Sequence, residues 1–322
     1  MSNNSGHLAN DLVEVLDGVL RRTGLLAGRS YTAMALTGGT TNRNIKVTFA
    51  APDSSHGGES WVVRFAGKNT NLLGIDRHVE LAANTNAAAL GLAPEVVAFV
   101  TPENYLVTKF IEAAPLSFFD VRTPENMAAI ARALREFHGG AALATSFGPF
   151  TVGPRYLATA QQHGLAVPAE YNQAIAYMDQ IEDAMLRAPE PDVPCHNDLL
   201  NANFLADSDR RIWLIDWEYA GMNSRWFDLG NFAVNHDFTH EERDALIVSY
   251  FGAVSPKRQA RLALFCIVSD MREAMWNVVQ QAISTLDVDF AAEAARLFER
   301  LMGSCRQPNF QTWLADAATA AN

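Results

Sequence analysis

The chain has 322 residues, with 25 Lys and Arg against 36 Asp and Glu and a formal net charge of −11. Such an acidic chain, with no basic cluster, argues against broad binding to nucleic-acid phosphates. Hydrophobic residues at 49% and charged residues at 19% exclude wholesale disorder. Three widely spaced cysteines offer no disulfide framework, and the apolar runs are too short for membrane insertion. We therefore expect a cytoplasmic protein.

The first third of the chain has mainly the pattern of β-strands. A helical period at 11–20 is followed by a glycine turn, alternating apolar residues up to Phe49, and another strand at 61–65. A helix is predicted at 76–90 because Gly91 can end it, and further strands follow at 96–100 and 105–111. These elements predict a small antiparallel sheet with one inserted helix.

After Pro115 the pattern becomes helical, with short strands only at 202–205 and 211–215. Helices are predicted at 125–138, 170–186, 241–250, 257–284 and 290–302. The simplest organisation is an α+β fold with a lobe at 1–112 and a mainly helical lobe at 113–322. Whether residues 151–194 form a lid or only pack against the rest is left open.

The most informative stretch holds Asp198, Asn203 five residues later, and Asp216 at the end of an apolar strand. Phosphoryl transfer from a nucleotide needs a carboxylate that accepts the proton of the acceptor hydroxyl, and oxygen ligands for Mg²⁺. We therefore predict Asp198 as the catalytic base and Asn203 and Asp216 as the magnesium ligands. Each residue alone is compatible with a loop cap or a turn, but their joint spacing favours catalysis.

On these motifs the chain resembles the protein-kinase-like phosphotransferases, and among them the choline/ethanolamine kinases with their aminoglycoside phosphotransferase relatives. The resemblance extends from about residue 37 to about residue 302. It implies a bilobal kinase-like fold and an enzyme that transfers the γ-phosphoryl group of ATP, with Mg²⁺, to an alcohol. The chain has His-Asn-Asp at 196–198 and Asp-Trp-Glu at 216–218, where protein kinases have His-Arg-Asp and Asp-Phe-Gly. A small-molecule acceptor is therefore expected.

The resemblance also implies that residues 1–112 form a nucleotide-binding lobe. Arg64 on a strand would contact the phosphates and pair with Glu80 on the next helix. The main chain from Lys109 to Ile111 lies where adenine would be recognised. The alternative for Arg64 and Glu80 is that both side chains are only exposed to solvent, and the alternative for the glycine turn is a simple hairpin turn. The glycine turn would cover the phosphates with a run of five residues, Gly38, Gly39, Thr40, Thr41 and Asn42.

The second lobe, 113–322, is expected to carry catalysis and a cationic acceptor. Trp276 resembles a cage tryptophan of the choline kinases, while Glu273 stands where some relatives have an aromatic residue. Aromatic faces and an acidic residue suit a quaternary ammonium, and the extra carboxylate suits a primary one. We expect an amino alcohol, with choline first and ethanolamine second. Further candidates for the substrate pocket are Trp217, Glu218, Tyr219 and Asp237.

Three alternatives remain open from the sequence. The first is a kinase of the same fold that acts on thiamine, an aminoglycoside or a sugar. The second is a degenerate nucleotide-binding module, and the third is a metal-dependent hydrolase. Among the neighbouring residues, Asp228 is predicted to brace the catalytic loop, His138 to cap or pack its helix, and His196 to orient the loop.

Overall fold

A computed structural model describes residues 10–36, 42–50, 58–67, 69–284 and 286–319. These residues form ten α-helices and ten β-strands. The strands are β1 (Tyr31–Leu36), β2 (Arg43–Phe49), β3 (Ser60–Phe65), β4 (Val96–Val100), β5 (Tyr105–Lys109), β6 (Ala113–Pro115), β7 (Val193–Cys195), β8 (Phe204–Asp207), β9 (Ile212–Leu214) and β10 (Gly221–Asn223). The helices are α1 (Asn10–Arg22), α2 (Arg77–Ala89), α3 (Pro124–His138), α4 (Val152–Gln162), α5 (Tyr171–Arg187), α6 (Arg225–Asn235), α7 (His240–Phe251), α8 (Pro256–Ile283), α9 (Phe290–Cys305) and α10 (Phe310–Ala317).

The first lobe is built on an antiparallel sheet with the strand order β1-β2-β3-β5-β4. Alternate residues of β2 and β3 are buried, because successive side chains of a strand point to opposite faces. The buried face of this sheet packs against Leu16, Val19 and Leu20 of α1. The predicted sheet with one inserted helix is thereby confirmed. The predicted glycine turn, with Gly38, Gly39, Thr40 and Thr41, lies outside the described residues.

Helix α2 is inserted between β3 and β4, and its buried apolar residues join the core of the helical lobe. It begins after Asp76, whose carboxylate accepts hydrogen bonds from two main-chain N–H groups of the first turn. It is followed by Gly91 with a φ of 70°, the left-handed conformation that the sequence predicted there. The apolar residues Val79, Ala83 and Ala87 belong to the core of the helical lobe. Helix α2 therefore joins the two lobes.

The helical lobe is organised around α8, which is buried along most of its length. Gly230 allows α6 to lie close to α8, because a Cβ at this position would lie 2.6 Å from the main-chain carbonyl carbon of Phe265 in α8. Helices α4 and α5 fill the segment 151–194, and their buried faces join the same core. This segment is a packed part of the lobe. Among the helices described, none combines the length and the apolar composition that crossing a membrane requires.

Candidate active site

The loop at 196–203, which carries Asp198 and Asn203 and which we call the catalytic loop, connects β7 and β8 and is bound by side chains of α6. The buried Asp228 accepts hydrogen bonds from the main-chain N–H groups of His196 (2.9 Å) and Asn197 (2.7 Å) and from His138 Nε2 (2.9 Å). Asn231 Oδ1 accepts a further bond from the N–H of Leu199, at 2.6 Å. Burial raises the pKa of Asp228, but the bonds from His138 and the loop hold it below its ordinary value. These bonds fix the main chain on both sides of position 198.

Two residues at the ends of this region adopt left-handed conformations that side chains other than glycine rarely take. Asn197 has a φ of 66° and Asp216 a φ of 67°. Asn197 is held there by hydrogen bonds to Tyr219 O (3.0 Å) and from Asn223 Nδ2 (2.8 Å). Such conformations cluster at functional sites, where the surrounding structure enforces them. His196 adds a link by donating from Nε2 to the carbonyl of Ile215, next to Asp216, at 3.0 Å.

Of the three residues of the central motif, Asn203 and Asp216 line the cavity between the two lobes. Asn203 donates from Nδ2 to the main-chain oxygen of Asp198 at 2.9 Å, which leaves its Oδ1 for another partner. Asp216 accepts from Arg64 Nη2 at 2.7 Å through Oδ1, which leaves Oδ2. One amide oxygen and one carboxylate oxygen are ligands that Mg²⁺ prefers. The donor set therefore fits the predicted magnesium site.

A buried group of charged and amide side chains joins the two lobes beside this motif, and we call it the nucleotide-side cluster. Glu80 of α2 binds Arg64 of β3 through Oε1 and Arg77 Nη1 through Oε2, the latter at 2.7 Å. The predicted pairing of Arg64 with Glu80 is thus present. Burial opposes the charge of Arg64, but the facing carboxylates raise its pKa above its ordinary value. The members of the cluster are Asn42, Arg64, Arg77, Glu80, Asp216 and Glu218.

The structure places Glu218, a residue predicted for the substrate pocket, in this cluster. Its Oε2 accepts from Arg77 Nη1 at 3.1 Å and from Asn42 Nδ2 at 2.8 Å. Burial and the nearby charge of Asp216 raise the pKa of Glu218 to about 7, against the effect of the arginines. Sequence reasoning missed Arg77. The available signal was its position three residues before Glu80 on one helix face.

A cavity of about 430 Å³ lies between the sheet and the helical lobe. It is lined by residues of both lobes, among them Arg64, Lys109, Ile111, Asn203 and Asp216. The sequence predicted that the main chain from Lys109 to Ile111 contacts adenine. In the structure, the N–H groups of Lys109 and Phe110 already donate hydrogen bonds to Glu95 O and Ser60 O. The side chain of Lys109 binds the exposed Glu95 at 2.6 Å. Within the predicted stretch, the N–H of Ile111 donates to no main-chain oxygen of the described residues, while its carbonyl accepts from the N–H of Ala113 at 2.9 Å.

A second buried group, which we call the acceptor-side cluster, surrounds Asp198. Arg272 of α8 binds Asp198 Oδ1 at 3.1 Å and also binds Glu273 Oε1, both through Nη1. Its guanidinium group lies 4.3 Å from the centre of the Tyr219 ring. The Tyr219 hydroxyl in turn accepts a hydrogen bond from Trp276 Nε1 at 2.7 Å. The cluster thus comprises Asp198, Tyr219, Arg272, Glu273 and Trp276.

The environment of Asp198 opposes its charge. Burial raises its pKa to about 7, and the nearby carboxylates of Glu273 and Asp216 act in the same direction, while Arg272 opposes them. A carboxyl group with a pKa near neutrality is suited to accept a proton in a transition state. Sequence reasoning did not single out Arg272. The signal was a lone arginine that follows the apolar run of α8.

Two other residues predicted for the substrate pocket lie elsewhere. Trp217 is buried in the core of the helical lobe, where its ring packs on Phe137 and His196 and its Nε1 donates to Leu214 O at 3.2 Å. Asp237 lines a separate cavity of about 380 Å³ and binds Arg300 at 3.4 Å. Neither belongs to the acceptor-side cluster. Trp217 is 1% exposed, a burial that the sequence pattern did not reveal.

The fold and this site define the chain as a kinase-like phosphotransferase. The family model for choline/ethanolamine kinase matches residues 33–250. The chain therefore belongs to the choline/ethanolamine kinase family, and it is an ATP-dependent phosphotransferase with an alcohol group as acceptor.

Individual relatives agree with this assignment. Ethanolamine kinase 2 of Mus musculus is 27% identical over 268 residues, which cover 74% of this chain and 68% of the relative. The solved choline/ethanolamine kinase family protein from Mesorhizobium loti is 29% identical with a TM-score of 0.77, over 94% of this chain and 99% of that one. Choline kinase LicA from Streptococcus pneumoniae shares the fold, with 22% identity and a TM-score of 0.75 over 92% of this chain and 99% of that one. LicA has also been solved with AMP.

Proposed function

We propose that this enzyme transfers the γ-phosphoryl group of ATP to the hydroxyl of a small amino alcohol, and that it prefers a primary ammonium such as that of ethanolamine over choline. This order is the reverse of the one that we expect from the sequence alone. The observation that carries this proposal is the shared contact of Asp198 and Glu273 with a single nitrogen of Arg272. Both carboxylates are partly exposed, at 13% and 14% of their side-chain surface. One is available for a hydroxyl and the other for an ammonium group.

The choice between the two ammonium types follows from what each group can do. A quaternary ammonium donates no hydrogen bonds and depends on aromatic faces, yet one face of Tyr219 already carries the Arg272 guanidinium. A primary ammonium donates hydrogen bonds, and Glu273 can accept one. The bonds to Glu273 from Arg272 and Asn231 both fall on Oε1, so Oε2 is offered to the ligand. Trp276 then supplies one aromatic wall.

On the nucleotide side, we assign the cleft between the lobes to ATP. Asn203 and Asp216 would hold Mg²⁺, which would neutralise charge on the phosphates. Arg64 stands beside Asp216 and can contact a phosphate through its planar guanidinium. Glu80 and Arg77 keep Arg64 in place through buried bonds. The name of the mouse relative, ethanolamine kinase 2, supports an amino alcohol as the acceptor.

The chemical step assigned to the site is a balanced displacement. The acceptor oxygen forms a bond to the γ-phosphorus while the bond from that phosphorus to the bridging oxygen of ADP breaks. Asp198 accepts the proton of the acceptor hydroxyl, and the products are the amino alcohol phosphorylated on its oxygen and ADP. The main-chain bonds from the catalytic loop to Asp228 and Asn231 hold Asp198 in position for that proton.

The experiment is an acceptor panel in a coupled assay for ADP, with ATP and Mg²⁺ at saturation. The compounds are ethanolamine, choline, thiamine, an aminoglycoside and a sugar. We expect turnover with ethanolamine and a lower kcat/KM with choline. A preference for thiamine, the aminoglycoside or the sugar would contradict the proposal, and ADP release that needs no acceptor would indicate a hydrolase. Removal of Mg²⁺ with a chelator is expected to abolish turnover, and added Mg²⁺ to restore it.

A further inference from the structure

Arg272 is the most deeply buried member of the acceptor-side cluster. Its side chain is 1% exposed, whereas the side chains of Asp198 and Glu273 are 13% and 14% exposed. Most of the buried residues of helix α8, which carries it, are apolar. A buried guanidinium is costly without charged partners, because it loses its hydration. Its partners here are the two carboxylates that the proposed function assigns to the hydroxyl and the ammonium group of the acceptor.

The position of the Arg272 guanidinium is determined on two sides. The Tyr219 ring lies 4.3 Å from the guanidinium carbon and the Phe147 ring lies 6.0 Å away. Among the described residues, no acceptor binds its Nε or its Nη2, and both atoms are buried. The two ionic contacts therefore depend on one nitrogen, Nη1. No competing carboxylate in this part of the chain draws the group elsewhere.

One nitrogen that binds two carboxylates also limits the distance between them. The contacting oxygens of Asp198 and Glu273 cannot be farther apart than the two contacts combined, and one of these is 3.1 Å long. In a two-carbon amino alcohol the hydroxyl and the ammonium group are on adjacent carbons, so they can reach two such carboxylates at once. A longer spacer would displace either its hydroxyl from Asp198 or its ammonium group from Glu273.

We propose that Arg272 is a positioning residue that sets the spacing between the hydroxyl-binding and the ammonium-binding carboxylates, and thereby selects acceptors with a two-carbon spacer. This inference rests on the proposed function. It assigns Arg272 no contact with the substrate, because the guanidinium lies beneath the carboxylates. Its effect reaches the acceptor through Asp198 and Glu273, and it predicts a change in selectivity that a purely structural arginine would not cause.

The test compares ethanolamine with 3-aminopropan-1-ol, which differs by one methylene in the spacer. The wild-type enzyme is expected to favour ethanolamine in kcat/KM by at least about tenfold, the lower end of what one methylene decides in a specific site. Arg272→Lys is expected to lower kcat with ethanolamine and to reduce the preference to within about threefold. A lysine side chain is flexible and lacks the planar group that stacks on Tyr219, so its ammonium nitrogen is not held at the position of Nη1 between the two carboxylates.

A matched control is available on the same helix. Arg261 is also buried, and it binds Ala317 O at 3.1 Å and Glu190 at 2.9 Å, away from the cluster. Arg261→Lys is therefore expected to keep the wild-type preference, whatever its effect on stability. A second test variant is Glu273→Asp, which withdraws the ammonium-binding carboxylate by one methylene and is expected to shift the preference toward 3-aminopropan-1-ol. It replaces Arg272→Lys as the test if that variant does not fold.

The outcomes separate the two proposals. A wild-type enzyme that phosphorylates neither compound overturns the proposed function and this inference with it. A wild-type enzyme that favours ethanolamine, with the same preference retained in Arg272→Lys and Glu273→Asp, overturns this inference alone. An equal loss of preference in Arg261→Lys also overturns it, because the effect would then follow from general loosening of α8.

Discussion

The two arginine–carboxylate clusters on either side of the motif at 198–216 are built in different ways. The nucleotide-side cluster brings together residues up to 176 positions apart in the chain, from the sheet, α2 and the loop after β9. The acceptor-side cluster draws on residues 198–276 and so lies within the helical lobe. The first cluster therefore links the lobes and the second arranges one lobe around the base. Substitutions in the two clusters should have separable effects.

The largest effect is expected within the acceptor-side cluster, at Asp198. Asp198→Asn retains the size and the loop contacts but cannot accept a proton, so kcat is expected to fall by at least about 10²-fold. The KM for ATP should stay near the wild-type value, because the nucleotide-side cluster is intact. Steady-state kinetics with ethanolamine measure both quantities. Turnover close to wild type at saturating substrates would contradict the assignment of the base.

The nucleotide-side cluster should show its largest effect in stability. Arg77→Ala leaves the buried carboxylates of Glu80 and Glu218 without one of their partners, and the free energy of unfolding is expected to fall by about 3 kcal/mol. Urea denaturation followed by fluorescence measures this change. Arg77→Lys, which keeps the charge, should lose less. An unchanged midpoint in Arg77→Ala would show that the cluster does not link the lobes energetically.

A smaller effect, restricted to the nucleotide, is expected at Arg64. Arg64→Lys preserves the charge but not the planar fork, and the loss of one charge-assisted bond should raise the KM for ATP by about tenfold. The acceptor KM should change little. Titrations of ATP and of ethanolamine, each at a saturating level of the other substrate, test this separation. Similar increases in the KM for ATP and the KM for the acceptor would contradict separate roles for the two clusters.

The smallest effect is expected at Asp237, which lies outside both clusters. Its side chain is 67% exposed and binds only Arg300, at 3.4 Å, within the described part of the chain. Asp237→Asn should therefore alter kcat/KM by less than about twofold. The same assays that characterise Asp198→Asn provide the measurement. A large loss of activity would support the acceptor role that the sequence predicted for this residue.

Local patterns in the sequence predicted the sheet, the inserted helix and most helices of the second lobe correctly. The sequence patterns did not predict the limits of strand β1 or of helices α4, α6 and α10, because the apolar pattern of these segments is short or interrupted. Asp228 was predicted to brace the catalytic loop, and its bonds to the loop main chain agree with that role. Trp217 and Asp237, which the sequence proposed for the substrate pocket, lie outside the acceptor-side cluster, because proximity in the chain to Asp216 or α6 says little about the direction of a side chain.

The sequence of this acidic chain by itself determined the class of reaction, through the spacing of a few residues. The spacing of Asp198, Asn203 and Asp216 is local, and a loop followed by a strand brings such residues together whatever the remaining packing. Only the tertiary structure decided which charges compensate one another, because burial makes an ion pair depend on partners far away in the chain. It placed Arg77 between Glu80 and Glu218, and Arg272 beneath Asp198 and Glu273.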